Sequence, residues 1–65
     1  MFTADNTQGF SKHEIDMLNR VQSRIAADAW GIKDYSISDA IHNAWVDGIS
    51  EDELYNEASR SLGLR

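Results

Sequence analysis

The two histidines are the side chains best suited to acid–base or metal chemistry, but their surroundings complete neither kind of site. His13 precedes Glu14, but no second histidine follows four residues later, so the H-E-x-x-H pattern of zinc-binding helices is absent. We interpret His13 as an exposed residue in the first turn of a helix and His42 as a half-buried polar residue. The chain also has no cysteine and no glycine-rich phosphate loop. We therefore predict no catalytic residue, no metal ligand, no cofactor and no enzymatic activity.

The distribution of the acidic side chains is a stronger chemical signal. Asp and Glu number 11 against 6 Lys and Arg, which gives a formal net charge of −5. Between Lys33 and Arg60 the chain has acids and no Lys or Arg, an arrangement that attracts cationic surfaces and repels phosphate. From this segment we predict the partner-binding residues, which are Asp39, Asp47, Glu51, Asp52, Glu53 and Glu57. The alternative interpretation is a solvated face whose acids stabilise the N-terminal ends of helices.

Residues 44–54 carry a spacing of small and apolar residues that resembles the helix-turn-helix family of DNA-binding proteins. The pattern consists of Ala44, Gly48, Ile49, Ser50 and Leu54. In that family a small residue lets two helices cross closely, a glycine makes the turn, and an apolar residue fixes the second helix. The resemblance covers about twenty residues and implies a DNA-binding transcriptional regulator.

The start of the third helix departs from that family. Glu51, Asp52 and Glu53 occupy the end that would face the groove, where family members place donors and positive charge. The cations that DNA binding requires would have to come from the first helix, chiefly from Lys12, Arg20 and Arg24. We interpret the charged row of this helix that contains Arg20 and Arg24 as its solvent-exposed side. We therefore do not expect direct nucleic-acid binding and keep a helix-turn-helix regulator as an alternative function.

A second resemblance lies near the start of the chain. The run TQGFS at residues 7–11, followed by Glu14-Ile15 and Leu18-Asn19, is similar to the openings of small phage and prophage proteins. The size and charge of the chain also resemble those of phage and plasmid inhibitors whose carboxylates stand in for DNA phosphates. These resemblances imply a small acidic protein-binding module, of inhibitor type, that docks its helix 2 and helix 3 face on the basic surface of a nucleic-acid-binding protein.

Apolar residues outside the main stripes support a third function. Met17 lies off the apolar stripe of the first helix, and Trp45 and Tyr55 are further candidates for an apolar interface. A self-associating structural or assembly subunit is therefore the second alternative, and both a monomer and a homodimer stay open.

Three similar sequence patterns predict the helices on which these candidate residues lie. Ser-x-x-Glu or Ser-x-x-Asp patterns begin at Ser11, Ser36 and Ser50, and a glycine followed by an apolar residue ends each stripe. They predict helices over residues 12–30, 37–47 and 51–62. The predicted fold class is all-α, a compact three-helix bundle in residues 11–65 after a flexible N-terminal arm in residues 1–10.

Composition sets the remaining expectations. No segment is apolar enough to span a bilayer, and the first residues lack the features of a signal peptide, so we predict a cytoplasmic protein without membrane contact. In so thin a core we expect Trp30 and Trp45 to supply the main apolar mass. The alternative is that one of them is partly exposed and anchors an interface.

Overall fold

The computed structural model describes residues 2–3, 5 and 7–64, and it consists of three α-helices joined by short connections. Helix α1 comprises Lys12–Asp28, helix α2 comprises Asp34–Ala44, and helix α3 comprises Glu51–Ser61. No strand occurs among the described residues. The predicted all-α three-helix bundle is confirmed.

Serine side chains cap the first and third helices, as the sequence predicts. In α1 the Ser11 hydroxyl accepts a hydrogen bond from the Glu14 backbone N–H, and the Glu14 carboxylate accepts one from the Ser11 N–H. In α3 the Ser50 hydroxyl accepts a hydrogen bond from the Glu53 N–H. These bonds satisfy backbone donors that the first turn of a helix leaves without an intrahelical partner.

The start of α2 differs from the prediction. The helix begins at Asp34 with Lys33 as its N-cap, and no side chain forms a capping bond there. The Asp34 carboxylate in the first turn interacts favourably with the helix dipole instead. Ser36, the predicted cap, therefore lies inside the helix, and the Ser38 hydroxyl donates to the Gln22 side-chain oxygen of α1 at 3.0 Å.

The predicted C-terminal signal is confirmed for α3. Gly63 has a φ of 80°, a conformation in which an L side chain would be strained. Its N–H donates to the Arg60 carbonyl, and the Leu64 N–H donates to the Ser59 carbonyl. This pair of bonds is the Schellman motif, which satisfies carbonyls at the end of the helix.

The other two helices end before the predicted residues 30 and 47. Helix α1 ends at Asp28, and the Ile32 N–H closes a turn by donating to the Ala29 carbonyl. Helix α2 ends at Ala44, so its connection to α3 spans residues 45–50, where the prediction gave only 48–50. Both glycines predicted to end these helices consequently lie in the turns beyond them.

One apolar core joins the three helices. Its buried members follow the predicted stripes, with spacings of three and four residues along each helix. They are Leu18, Val21, Ile25, Ala29, Ile37, Ala40, Ile41, Leu54 and Ala58, together with Phe2 from the segment ahead of α1. Burial of this apolar surface is the main favourable contribution to folding.

Side-chain contacts establish the directions of the helices. Phe10, just before α1, contacts Trp45, just after α2, whereas Gln22 further along α1 bonds Ser38 nearer the start of α2. Helix α2 therefore runs antiparallel to α1. Helix α3 runs parallel to α1, because the contacts between them advance in the same order along both helices. Helices α2 and α3 also pack against each other, and their C-terminal halves line a shared cleft.

The segment ahead of α1 packs on the bundle in part. Phe2 is buried and belongs to the core cluster, and Thr7 is also buried. The prediction of a flexible arm over residues 1–10 did not include these contacts. The predicted boundary between the arm and the domain, after residue 10, stays a prediction. Four residues of the predicted arm and domain lie outside the described residues, namely Met1, Ala4, Asn6 and Arg65.

The expectation that both tryptophans supply core mass is wrong for Trp30. Its side chain is 97% exposed, because α1 ends at Asp28 and Trp30 lies in the following turn. Trp45 is partly buried and packs edge-to-face on Phe10, with 5.0 Å between the ring centroids. Exposure of one tryptophan, the alternative expectation, is therefore correct, whereas an interface at Trp30 stays a prediction.

Candidate protein-binding site

Two arginines of α1 form ion pairs with acids at the start of α3. The Arg20 Nε lies 2.9 Å from Glu51 Oε1, and the Arg24 Nη1 lies 3.5 Å from Glu51 Oε2 and 3.2 Å from Asp52 Oδ1. We refer to Arg20, Arg24, Glu51 and Asp52 as the interhelical charge cluster. Their side chains are 32% to 85% exposed, so water screens each pair and its contribution to stability is about 1 kcal/mol or less.

Tyr55 extends the contact between α1 and α3. The Arg24 guanidinium carbon lies 4.2 Å from the centroid of the Tyr55 ring, within the range of a cation–π interaction. The Tyr55 hydroxyl donates to Asp28 Oδ2 at 2.6 Å. Both the ring and the hydroxyl of Tyr55 are therefore engaged with α1.

These contacts correct two electrostatic expectations. The charges of α1 are not simply its solvated back, because Arg20, Arg24 and Asp28 all contact α3. The acidic segment is not uniformly negative either, because the fold brings two cations onto its acids Glu51 and Asp52. Sequence order could not show this, since the paired residues are 27 to 31 positions apart.

The other four predicted site residues lie on α2, on α3 or in the connection between these helices. Glu57 lines a cleft of about 210 Å³ between the two helices, and Glu53 lies one helical turn earlier on the same side of α3. Asp39 lies one turn before Asn43, which lines the cleft from α2. Asp47 lies in the connection between the two helices. We refer to these four acids as the α2–α3 acidic face.

The side chains that line the cleft are mostly small, and the two helices carry a single cationic side chain. Ala40 and Ala44 line it from α2, and Ser61 adds a hydroxyl from α3. Arg60 is the only Lys or Arg in the two helices, and its Nη1 lies 3.2 Å from the Glu57 carboxylate. All four acids of the face are exposed. The Glu57 carboxylate in this cleft and the exposed carboxylates of the other three acids are groups that can bind Lys or Arg side chains.

The histidines take no part in this site. His13 is exposed in the first turn of α1, as expected. His42 is also exposed, which corrects the expectation of a half-buried residue: its neighbour Ile41 faces the core, and the helix turns position 42 outward. Across residues 2–3, 5 and 7–64, no three Asp, Glu or His side chains are grouped so that they could hold a metal ion.

The residues predicted to form an apolar interface contact the rest of the molecule. Each of Met17, Trp45 and Tyr55 is partly buried and packs against the core. The large apolar side chains with the greatest exposure are instead Trp30, Tyr35 and Val46. Helical periodicity located the partly buried positions, but it carries no information on the turns in which Trp30 and Val46 lie.

Sequence reasoning missed the contact between Asn19 and the segment ahead of α1. The Asn19 Oδ1 accepts a hydrogen bond from the Phe2 N–H at 2.8 Å, and the Asn19 Nδ2 donates to the Phe2 carbonyl at 3.0 Å. The sequence feature that could have indicated this contact is Phe2, an aromatic residue in a mostly polar segment. It indicates that the ring is buried, but not where on the bundle.

Comparisons of the chain with models of protein families, with curated proteins and with solved structures found no match. In the described part of the chain, none of the helices combines the length and the apolarity that crossing a membrane requires. What the α2–α3 acidic face can bind follows from its geometry and charge.

Proposed function

We propose that this protein is a small binding module that docks its α2–α3 acidic face on a cationic surface of a partner protein. The observation that supports the proposal is the position of Glu57 in the cleft, together with the exposure of Asp39, Asp47 and Glu53 on the same two helices and their connection. Carboxylates in such an arrangement bind Lys and Arg side chains through charge-assisted hydrogen bonds. An inhibitor of a nucleic-acid-binding protein is the specific form of the proposal, since such proteins carry cationic surfaces.

The interhelical charge cluster distinguishes acids that pair within the molecule from acids that are available to a partner protein. Glu51 and Asp52 already have cations from α1, so their charges contribute to the packing of α3 on α1. No ion pair joins Asp39, Asp47 or Glu53 to a cation within the described residues. An incoming cation gains most at these three carboxylates, because it does not have to displace an internal partner.

Two observations disfavour the helix-turn-helix alternative. The connection over residues 45–50 is longer than the three- or four-residue turn of that motif. Arg20 and Arg24, which would have to contact phosphates, are paired with acids of α3. A cationic protein surface, and not a nucleic acid, is therefore the partner class that we propose.

A decalysine peptide is a defined probe of the acidic face. The double variant Asp39→Asn/Glu53→Gln removes two carboxylates from the face, and the control Asp5→Asn/Asp16→Asn removes two exposed carboxylates elsewhere. Both change the net charge by the same amount. At about 50 mM salt we expect the face variant to bind at least about tenfold more weakly than the unaltered chain. Fluorescence anisotropy of labelled peptide measures the affinities.

The control variant should bind the peptide within about twofold of the unaltered chain. Circular dichroism verifies that both variants keep their helices. Equal weakening of both variants would show that only the net charge matters, and unchanged binding by the face variant would show that the probe binds elsewhere. Either result contradicts the proposal.

A further inference from the structure

The contact between Phe2 and Asn19 has the chemistry of a peptide-binding site. One side-chain amide makes both hydrogen bonds that the main chain of Phe2 offers, by accepting from its N–H and donating to its carbonyl. Extended peptides are held through the same main-chain groups when they bind to a sheet edge or a groove. The Phe2 side chain is simultaneously buried, with only 7% of the residue exposed. The site therefore binds the main chain of one extended residue and buries its aromatic side chain.

An open groove continues from this site along α1 and α2. It has a volume of about 310 Å³ and is lined by Asn19, Gln22, Ser23, Ala26 and Asp34. The Gln22 amide is held in position by the Asp34 carbonyl and by the Ser38 hydroxyl. The exposed Asp34 carboxylate gives the groove a negative charge. Space and polar groups for the neighbouring side chain of a ligand are therefore present beside Phe2.

The segment that carries Phe2 is joined to α1 by a short turn. The Thr7 hydroxyl donates to the Thr3 carbonyl, and the Phe10 N–H donates to the Thr7 carbonyl at 3.1 Å. Gly9 has a φ of 91° in this turn, a conformation that glycine adopts without strain. Both of these bonds lie within the segment, and the ion pairs that Arg20 and Arg24 form between α1 and α3 do not involve it.

We propose that the Phe2 site is an exchangeable docking site for an extended peptide segment of a partner protein. That segment has a phenylalanine that replaces Phe2 at Asn19 and a Lys or Arg beside it that pairs with Asp34. In the free protein Phe2 occupies the site and competes with the partner, since a short linker gives it a millimolar effective concentration. The Asp34 carboxylate favours a partner peptide with a Lys or Arg beside its phenylalanine over the segment of a second copy, because Thr3, which follows Phe2, has no positive side chain.

The test uses the full chain with the substitution Phe2→Ala, which removes the internal occupant. The probe is a labelled, N-terminally acetylated peptide with the sequence of residues 1–10, and a second acetylated probe carries Met1→Lys/Thr3→Lys. We expect the first probe to bind this variant at least about tenfold more tightly than the unaltered chain. The second probe should bind at least about threefold more tightly than the first, because it adds charge opposite Asp34. Fluorescence anisotropy measures all affinities.

Matched controls separate docking from non-specific binding. In the Phe2→Ala background, Asn19→Ala should weaken binding at least about fivefold, while Asn56→Ala on the exposed surface of α3 should not. A probe with Phe2→Ala should not bind. Because Phe2→Ala removes core mass, Phe2→Leu is a milder second variant that should give the same order of affinities.

Failure of both variants to bind the probes at millimolar concentration would overturn the proposal. So would equal binding of the probe that lacks phenylalanine. Tighter binding without any gain from the two lysines would identify a second copy as the occupant and contradict a partner peptide. The α2–α3 acidic face variant, Asp39→Asn/Glu53→Gln, should bind these probes normally, so this proposal and the proposed function can fail separately.

Discussion

Trp30 and Trp45 illustrate how the position of a helix end decides the environment of a side chain. Trp45 directly follows α2 and packs on Phe10 across the start of α1. Trp30 lies in the turn beyond α1 and exposes nearly all of its surface. The same residue type therefore contributes to packing at one helix end and is available for contact with a partner at the other.

This difference predicts unequal effects of two substitutions on stability. Trp30→Ala should change the free energy of unfolding by less than about 0.5 kcal/mol, because few contacts are lost. Trp45→Ala should lower it by about 2 kcal/mol, since it removes a partly buried ring and its aromatic contact. Urea denaturation followed by circular dichroism measures both values. A loss above about 1.5 kcal/mol for Trp30→Ala would show that its ring is packed.

Helix starts and core stripes could be predicted from the sequence where they depend on neighbouring residues. The caps at Ser11 and Ser50 are satisfied within one helical turn, so a four-residue pattern contains all the partners. The start of α2 could not be predicted in this way. Ser38 bonds Gln22, which is 16 positions away, and no side chain caps the helix. A local capping pattern therefore could not mark Lys33 as the N-cap of α2.

The pairing of α3 with α1 predicts a measurable coupling between two charges. A double-mutant cycle with Arg20→Ala and Glu51→Ala should give a coupling energy of about 0.5 to 1 kcal/mol at low salt. The coupling should decrease in about 1 M salt, because both side chains are partly exposed. Urea denaturation of the four proteins gives the value.

A control cycle uses Lys12→Ala and Asp16→Ala, whose pair lies at 3.4 Å within one helix and is more exposed. Its coupling should be smaller than that of Arg20 and Glu51, at about 0.3 kcal/mol. A coupling of zero between Arg20 and Glu51 at low salt would show that the interhelical pair does not contribute to packing.

At the scale of the whole molecule, the negative charge is distributed unequally between two helix interfaces. Between α1 and α3 the acids Glu51 and Asp52 are paired with arginines, whereas three of the four acids of the α2–α3 acidic face form no ion pair within the described ranges. The sequence predicted which residues are acidic, but only the fold divides them into paired and unpaired groups. Ion pairs between distant residues cannot be read from local charge runs.

The size of the molecule determines how much of it a partner would cover. Its accessible surface is 4298 Å², and a protein–protein interface of standard size buries about 800 Å² on each partner. A partner would therefore cover roughly a fifth of the surface. Such an interface extends beyond the four acids, and the exposed Val46 in the α2–α3 connection is the nearest large apolar side chain in sequence to Asp47.

Capture of partner proteins from a lysate of the cells that produce this protein tests the acidic face most directly. The three immobilised baits are the unaltered chain, Asp39→Asn/Glu53→Gln and the charge-matched control Asp5→Asn/Asp16→Asn. We predict that a protein with a cationic surface is retained by the unaltered chain and the control, is lost from the face variant, and is released as salt rises from about 0.1 to 1 M. Equal retention by the face variant would contradict docking through the α2–α3 acidic face.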